Sequence, residues 1–392
     1  MGLINLTSCG SNQKSEITSR ERVLKAINHE EPDRVPVDLG GVSLSSLHKS
    51  CYENLVEYLG LDSNIEFLSW RGHIVRPPEE VLEEFEVDTR SADLSIEAEQ
   101  KFGEPIIDDW GVRWVLPEGG DNYIAKDFPL SKKKNPPVKA VNNFDWPNPE
   151  VMLPSPDLNK LKERANYLRN NTDKAILAKL PTGIVHTAQF VRGFKEFLTD
   201  MIKNPSFTHA LLDKITELWL EASKQIVNRV GDLVDIVAWP DDIGTQDKLM
   251  MSPRLYRDFI KPRHEKMVSS VKEQADVAVF FHTDGNVYSV LEDFVEIGID
   301  ILNPLQTSAN DMSPKKVKDK IGDELTFWGG IDTHHVLPKK STEEVKEEVK
   351  KKIDILAPGG GYVLASVHNI QPDVPPQNVI AMLEAAREFG WY

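Results

Sequence analysis

The chain has 392 residues, 40% of them hydrophobic and 28% charged, with a formal net charge of −16. That length suits one barrel of roughly 250 residues with insertions better than several small domains. The acidic balance argues against nucleic acids and anionic membrane surfaces, which need basic patches, and no apolar run approaches the ~20 residues of a membrane span.

The N-terminus contains Leu6-Thr7-Ser8-Cys9, a superficial lipoprotein box, but lacks a basic region and a long apolar stretch before it. Residues 1–17 read as a disordered tail and 18–392 as one barrel domain. Thr18 or Ser19 can cap a helix running to about Asn28. A turn at Glu31-Pro32-Asp33 leads into a first strand, 34–39, which Gly40-Gly41 ends; a helix over 45–59 follows and closes at Gly60. Residues 85–92 can supply a second strand.

Residues 95–150 break the rhythm with aromatics, Gly and Pro in short segments, and read as hairpins inserted into a barrel loop. Within them, Lys132-Lys133-Lys134 stands beside Asn135-Pro136-Pro137 and reads as a solvated loop. A helix over 156–170 and a strand over 175–181 resume the pattern, and helices over 190–202 and 205–230 follow.

Five apolar runs then end in polar clusters: strands at 234–239, 277–282, 300–304, 325–329 and 361–366. Their β-rich cores lack alternation, as in strands buried on both faces of a parallel sheet. Ser252-Pro253 starts a helix to about Glu273, Ser313-Pro314 repeats that signal, and Ser341-x-x-Glu344 is a capping box. A helix over 376–389 with Gly390 as its cap closes the fold. Eight strands alternating with helices predict an α/β fold, a (β/α)8 TIM-type barrel. Polar residues at the C-terminal strand ends mark the active-site rim of an enzyme.

On that rim, His282 and Asp284 sit at i and i+2 of an extended segment and share one face. His368 stands in the same relation to the last strand. A His-x-Asp plus a distant His gives N/O ligands suited to zinc or another divalent ion. A loop-bonded His282 and a His368 that donates a hydrogen bond to substrate are the alternatives. Asp241-Asp242 is a paired carboxylate: it can bind a cation, hold one member protonated as a general acid, or place one acid in solvent while the other caps a turn. Asn303 and Gln306 suit either a polar substrate or loop hydrogen bonding, and Asp332 is a further rim carboxylate. His334-His335 reads as incidental, and Gly359-Gly360-Gly361 as a helix-to-strand turn, not a phosphate loop. Cys9 and Cys51, the two cysteines, have no metal-type spacing, which points to a reducing cytoplasm.

These segments carry a family resemblance: residues 20–36 (RERVLKAINHEEPDRVP), Asp241–Gln246, His282–Gly285, Asp300–Gln306, Trp328–Asp332 and His368–Asp373. The chain resembles the uroporphyrinogen decarboxylase superfamily over residues 18–392, which implies a (β/α)8 barrel and either porphyrinogen decarboxylation or cobamide-dependent methyl transfer. True decarboxylases carry a Met-Arg-Gln-Ala-Gly-Arg segment after the first strand, whose arginines clamp substrate carboxylates. The corresponding 38–46 stretch here has no arginine, and Arg71, Arg76, Arg113 and Arg192 remain as candidates to compensate.

The methyltransferase branch holds zinc through a His-x-Cys after the fifth strand and a Cys after the eighth. The matching positions here are His282, Asp284 and His368, so both thiolates are replaced. A harder N/O set suits oxygen or amine substrates such as aryl methyl ethers. The expectation is therefore an O-demethylase-type methyltransferase. It would move a methyl group between a small methoxylated substrate and a corrinoid protein, with Asp241, Asp242 and His368 catalytic and Asn303, Gln306 and Asp332 on the substrate. No Asp-x-His-x-x-Gly occurs in the chain, so the corrinoid would arrive on a partner protein. A homodimer fits the same resemblance. Cofactor-free porphyrinogen decarboxylation is the alternative.

Overall fold

The computed structural model describes residues 17–94, 103–149 and 155–392. The expected tail, Cys9 and the start of the 95–150 insertion lie outside the described residues. Seven parallel strands form the sheet: β1 (Thr89–Ser91), β2 (Ala175–Lys179), β3 (Ile236–Pro240), β4 (Ala278–His282), β5 (Ile301–Leu305), β6 (Thr326–Ile331) and β7 (Tyr362–Ser366). Each pairs in parallel with the next, from β1 through β7.

The expected first strand, 34–39, forms no continuous ladder. It closes the barrel at single points: Asp38 N donates to Leu364 O, Leu364 N to Pro36 O, and Asp88 N to Val37 O. Pro36 has no N–H to give, so this element cannot make the bonds of a full strand. Asp88 supports the seam from below. Its carboxylate accepts from Val37 N at 2.8 Å, Arg22 at 2.6 Å and Arg34 at 2.8 Å.

Ala175, Leu177, Ile236, Ala238, Phe280, Ile301, Trp328, Val363 and Ala365 fill the barrel interior, which Val23 and Ile27 plug from one end. These two belong to α1 (Ser19–Ile27), whose Thr18/Glu21 pair forms a capping box. The helix hydrogen-bonds to residues just ahead of the strands, Arg20 N to Asp173 O and Gly361 N to Ala26 O. It therefore covers the N-terminal end of the barrel.

Three readings of the sequence need revision. The helix expected over 45–59 is Lys49–Leu59 capped by His48, preceded by the two-residue strand Leu47–His48. That strand joins Phe67–Ser69 and Ile74–Val75 in a small antiparallel sheet the sequence did not signal. The helix expected over 190–202 is two, Ile184–Arg192 and Phe194–Lys203, split at Gly193. The helix from Ser252 carries a π-helical turn, Tyr256–Ile260, ahead of Pro262; Pro262 has no N–H to give, so the normal ladder cannot run through it. The hairpin insertion is present as an antiparallel sheet of Ile106–Ile107, Arg113–Val115 and Ile124–Asp127. No helix among the described residues is long and apolar enough to cross a membrane.

Candidate active site and metal centre

Every residue singled out on the rim follows the C-terminal end of a barrel strand or lies in it. His282 is the last residue of β4 and is buried at 2% exposure. Its register partner on the next strand is Asn303, so the two side chains meet: His282 Nδ1 lies 2.6 Å from Asn303 Oδ1. The Asn303 Nδ2 group donates to Trp328 O at 3.2 Å. That bond orients the amide with its oxygen toward the imidazole, so Nδ1 carries the proton. Nε2 of His282 faces Asp284 Oδ2 at 3.9 Å.

His368, two residues past β7, places Nε2 3.7 Å from the same Asp284 oxygen. One ligand atom from each of His282, Asp284 and His368 lies within 4.8 Å of the others. Asp284 Oδ1 is buried without a hydrogen-bond partner, and burial pushes the His368 imidazole below its usual pKa, against the opposing pull of Asp284. Two imidazole Nε2 atoms and a carboxylate with an unsatisfied buried oxygen are the donors that zinc or a similar divalent ion takes. A second ring nitrogen held by a neighbouring group is the usual support of a metal-binding histidine. The residues fit a metal ion.

Asn303→Leu is accordingly expected to weaken zinc binding by roughly 10–100-fold while the protein still folds. Competition with a chelator of known affinity measures this; unchanged affinity would remove Asn303 from the metal centre.

Asp284 is held in turn. Its backbone N–H donates to Asp242 Oδ1 at 2.9 Å, and Gly285 follows at φ 88 so close to the 243–249 loop that a Cβ would sit 2.5 Å from Thr245 O. The neighbouring carboxylate, Asp241, is fully buried and accepts from Val185 N, His186 N and His264 Nε2, each at 3.0 Å. It anchors the N-terminus of the helix Ile184–Arg192, and a Cβ on Gly183 would collide with its carboxyl carbon at 2.2 Å. The paired acids therefore have different tasks. Asp241 holds the helix, while Asp242 meets His186 Nε2 at 3.2 Å.

Burial alone would raise the Asp242 carboxyl and lower the His186 imidazole. Their mutual attraction outweighs it, holding Asp242 well below the usual carboxylate range and lifting His186 to about 8. The option of a protonated general acid does not fit Asp242, and the proton sits on His186 instead. Sequence reasoning missed His186, although it follows β2 as the other rim residues follow their strands.

The raised imidazole adds stability that is fully present below the unfolded pKa of about 6.5 and is lost as pH rises through about 8. That rise corresponds to roughly 2 kcal/mol. Thermal unfolding followed against pH should show this alkaline loss in the native chain and a flatter limb in His186→Gln. Equal slopes would mean that the pair adds no stability.

Above the cluster lies a cleft of about 530 Å³, within the range of small-molecule sites. Asp284, His368 and Gln306 line it. Gln306 Oε1 accepts from Gly285 N at 2.7 Å and its Nε2 donates to Gln246 at 3.1 Å. Asn303 is buried beneath the cleft and both ends of its amide are engaged, so it is placed to support His282 and not to touch substrate. Asp332 accepts from His334 N at 2.6 Å and His335 N at 2.9 Å; it caps its turn and presents Thr333 and His334 to the cleft. His334 thus lies on the rim despite its incidental look in the sequence.

The four arginines that might have clamped an acidic substrate are engaged elsewhere. Arg71 meets Asp108 at 3.3 Å, Arg76 Glu66 at 2.8 Å, Arg113 Asp127 at 3.2 Å and Arg192 Asp200 at 2.7 Å. The 38–46 stretch folds around a buried Asp38, which accepts from Gly41 N and Trp328 Nε1 at 2.8 Å each.

A parallel barrel with a His/Asp/His cluster at its C-terminal mouth is the architecture of a barrel enzyme with a metal-competent centre. The chain belongs to the uroporphyrinogen decarboxylase (URO-D) family, whose sequence profile matches residues 131–389. It is similar to the methylcobamide:CoM methyltransferase MtaA of Methanosarcina barkeri, at 28% identity over 211 residues, 53% of this chain and 56% of that protein. It is also similar to the uroporphyrinogen decarboxylase of Methylococcus capsulatus, at 26% identity over 202 residues, 51% of this chain and 53% of that protein. The chain thus spans about half the length of the curated relatives it matches. Among solved structures, a methyltransferase from Methanosarcina mazei superposes with a TM-score of 0.67 at 21% identity, covering 95% of this chain and 99% of that one. That likeness establishes the shared fold.

Proposed function

We propose that this protein is a corrinoid-dependent methyltransferase that moves a methyl group between a small methyl ether and a separate corrinoid protein, in the cytoplasm. The observation that carries the reading is the His282/Asp284/His368 cluster, in which Asp284 Oδ2 faces both imidazoles while its other oxygen, Oδ1, is buried without a hydrogen-bond partner. The similarity to a methylcobamide:CoM methyltransferase supports it.

His282 Nε2, His368 Nε2 and an Asp284 carboxylate oxygen would hold a zinc ion. When bound, the ion supplies Lewis acidity to the oxygen that bears the methyl group, which makes that oxygen a better leaving group. A partner's corrinoid, as Co(I), would be the methyl acceptor, the C–O bond of the ether breaking as the Co–C bond forms and the oxygen leaving as an alkoxide that the reverse reaction would consume. Asn303 orients the His282 ring so that Nε2 faces the cluster, and Asp242 holds the Asp284 loop in place by accepting from the Asp284 N–H. The protonated His186, paired with Asp242, is the store from which a departing alkoxide oxygen recovers a proton.

Decarboxylation of a porphyrinogen is the second reading, favoured by the similarity to a uroporphyrinogen decarboxylase. It fits the cleft poorly. A polycarboxylate substrate needs arginines, and the four considered are paired with acids of this chain.

The deciding experiment incubates zinc-loaded protein with free cob(I)alamin and a panel of methyl ethers, and follows the loss of the Co(I) absorption. Methyl-Co(III) formation that disappears with the metal is the expected result. Carbon dioxide release from uroporphyrinogen by metal-free protein would overturn the proposal.

A further inference from the structure

The cleft above His368 is lined by side-chain amides: Asn122, Gln246, Gln306, Asn369 and Gln371. Among the described residues, its lining includes no lysine, arginine, phenylalanine, tyrosine or tryptophan. Arg71 lies near its edge in the sequence but rests on the Trp114 ring at 4.0 Å and pairs with Asp108. The aromatic rings of the insertion, Trp114 and Tyr123, are likewise turned to the rings of Trp70 and Phe190. Trp70 packs edge-on against Tyr123 at 5.1 Å and Trp114 at 6.5 Å, and Trp114 against Phe190 at 4.9 Å.

From this lining we infer that the methyl-bearing substrate is a small, uncharged, aliphatic methyl ether carrying further hydroxyl groups, a methylated polyol. The inference rests on the methyl-transfer reading, since it takes the methyl-bearing oxygen to sit at the His/Asp/His cluster. Three physical arguments support it. A carboxylate or sulfonate removed from water gains most from a bidentate arginine or a lysine, which the described lining lacks, and it is repelled by the carboxylate of Asp284 and that of Asp242 bonded behind it. An aromatic substrate gains most from stacking on a phenyl or indole ring, and among the described residues the cleft presents only the imidazoles of His334 and His368. Side-chain amides both donate and accept, which matches hydroxyl groups one for one.

Two of the amides are also fixed before any substrate arrives. Gly285 N–H sets the direction of Gln306, Gln306 sets that of Gln246, and the far end of Gln246 donates to Ser308 O. Such oriented groups favour a ligand with matching hydroxyls, because little order is left to impose on binding.

The test uses the full chain with Co(II) in place of zinc, so that the visible spectrum of the ion reports ligands directly. Three compounds are titrated: glycerol monomethyl ether, a methoxybenzoate and a mercaptoalkanesulfonate. The ether is expected to perturb the spectrum at concentrations at least ~10-fold below the other two, a difference of about 1.4 kcal/mol. Gln371→Arg should narrow or reverse that gap by admitting the anions. Equal or tighter binding of either anion by the native chain, or no response to the ether, overturns the inference. If no Co(II) spectrum forms, the metal reading itself has failed. Calorimetric titration of the metal-free protein with the same compounds then decides the substrate class by the same order of affinities.

Discussion

His282→Ala is expected to abolish stoichiometric zinc binding and, with it, the methyl transfer proposed above. Three side chains supply the cluster, and His282 is the one whose free nitrogen is set by a neighbouring strand, through Asn303. Loss of an outer support such as Asn303 weakens metal binding by roughly 10–100-fold; loss of a ligand removes a bond to the ion and should exceed the upper end of that range. The fold should survive. His282 ends its strand at the barrel mouth, the interior beneath it is filled by Phe280 and Trp328, and a smaller side chain there opens a site that water can enter. Elemental analysis of the purified variant beside the native chain makes the measurement. About one zinc per native chain and less than a tenth of that in the variant is the predicted outcome. A variant that keeps its zinc would place the ion elsewhere.

Asp88→Ala should be the most damaging single change to stability. Its carboxylate is fully buried and joins three parts of the chain: α1 through Arg22, the closing segment through Arg34 and Val37 N, and β1, which it immediately precedes. Removing it leaves two guanidiniums at 3% and 4% exposure, only one of which, Arg22, keeps another carboxylate, Asp33. Breaking a buried ion pair in this way costs about 3–5 kcal/mol, a large share of the roughly 5–15 kcal/mol of a typical domain. For a chain of this size, a fall in Tm of roughly 4–6 °C is expected. The Co(II) spectrum of the folded fraction should be unchanged, because Asp88 lies at the end of the barrel opposite the cluster. A loss below ~1 kcal/mol would show that the seam is held by its backbone bonds alone.

Much of this arrangement was legible in the sequence, and the reason is physical. Strands buried on both faces must be apolar throughout, so five of the seven appear as bare hydrophobic runs, and their ends appear as the first polar residues after them. His282, Asp284 and His368 were found by that rule. The closing segment was read as a strand because Val35, Val37 and Leu39 look like one, yet Pro36 denies it a ladder. The helix break at Gly193 and the π-helical turn before Pro262 depend on how neighbouring helices pack, which periodicity does not record.

The role of Asn303 was hidden for a different reason. Its contact with His282 follows from strand register, a relation between residues 21 positions apart. The division of labour between Asp241 and Asp242 was hidden likewise, since the helix N-terminus and the two imidazoles that separate them come from elsewhere in the chain. His186 could have been found from the sequence alone, by asking of β2 what was asked of the later strands.

The plug formed by α1 has a practical use. Thr18 and the start of that helix lie at the N-terminal ends of the strands, while the His/Asp/His cluster lies past their C-terminal ends. A five-residue strand is roughly 17 Å long, so the two are separated by at least that depth of packed side chains. A purification tag, fluorophore or surface linker joined ahead of Thr18 therefore emerges on the far side of the molecule from the cleft. Chains immobilised by that end would present their mouths outward, which suits a surface-based test of the proposed docking of a corrinoid protein.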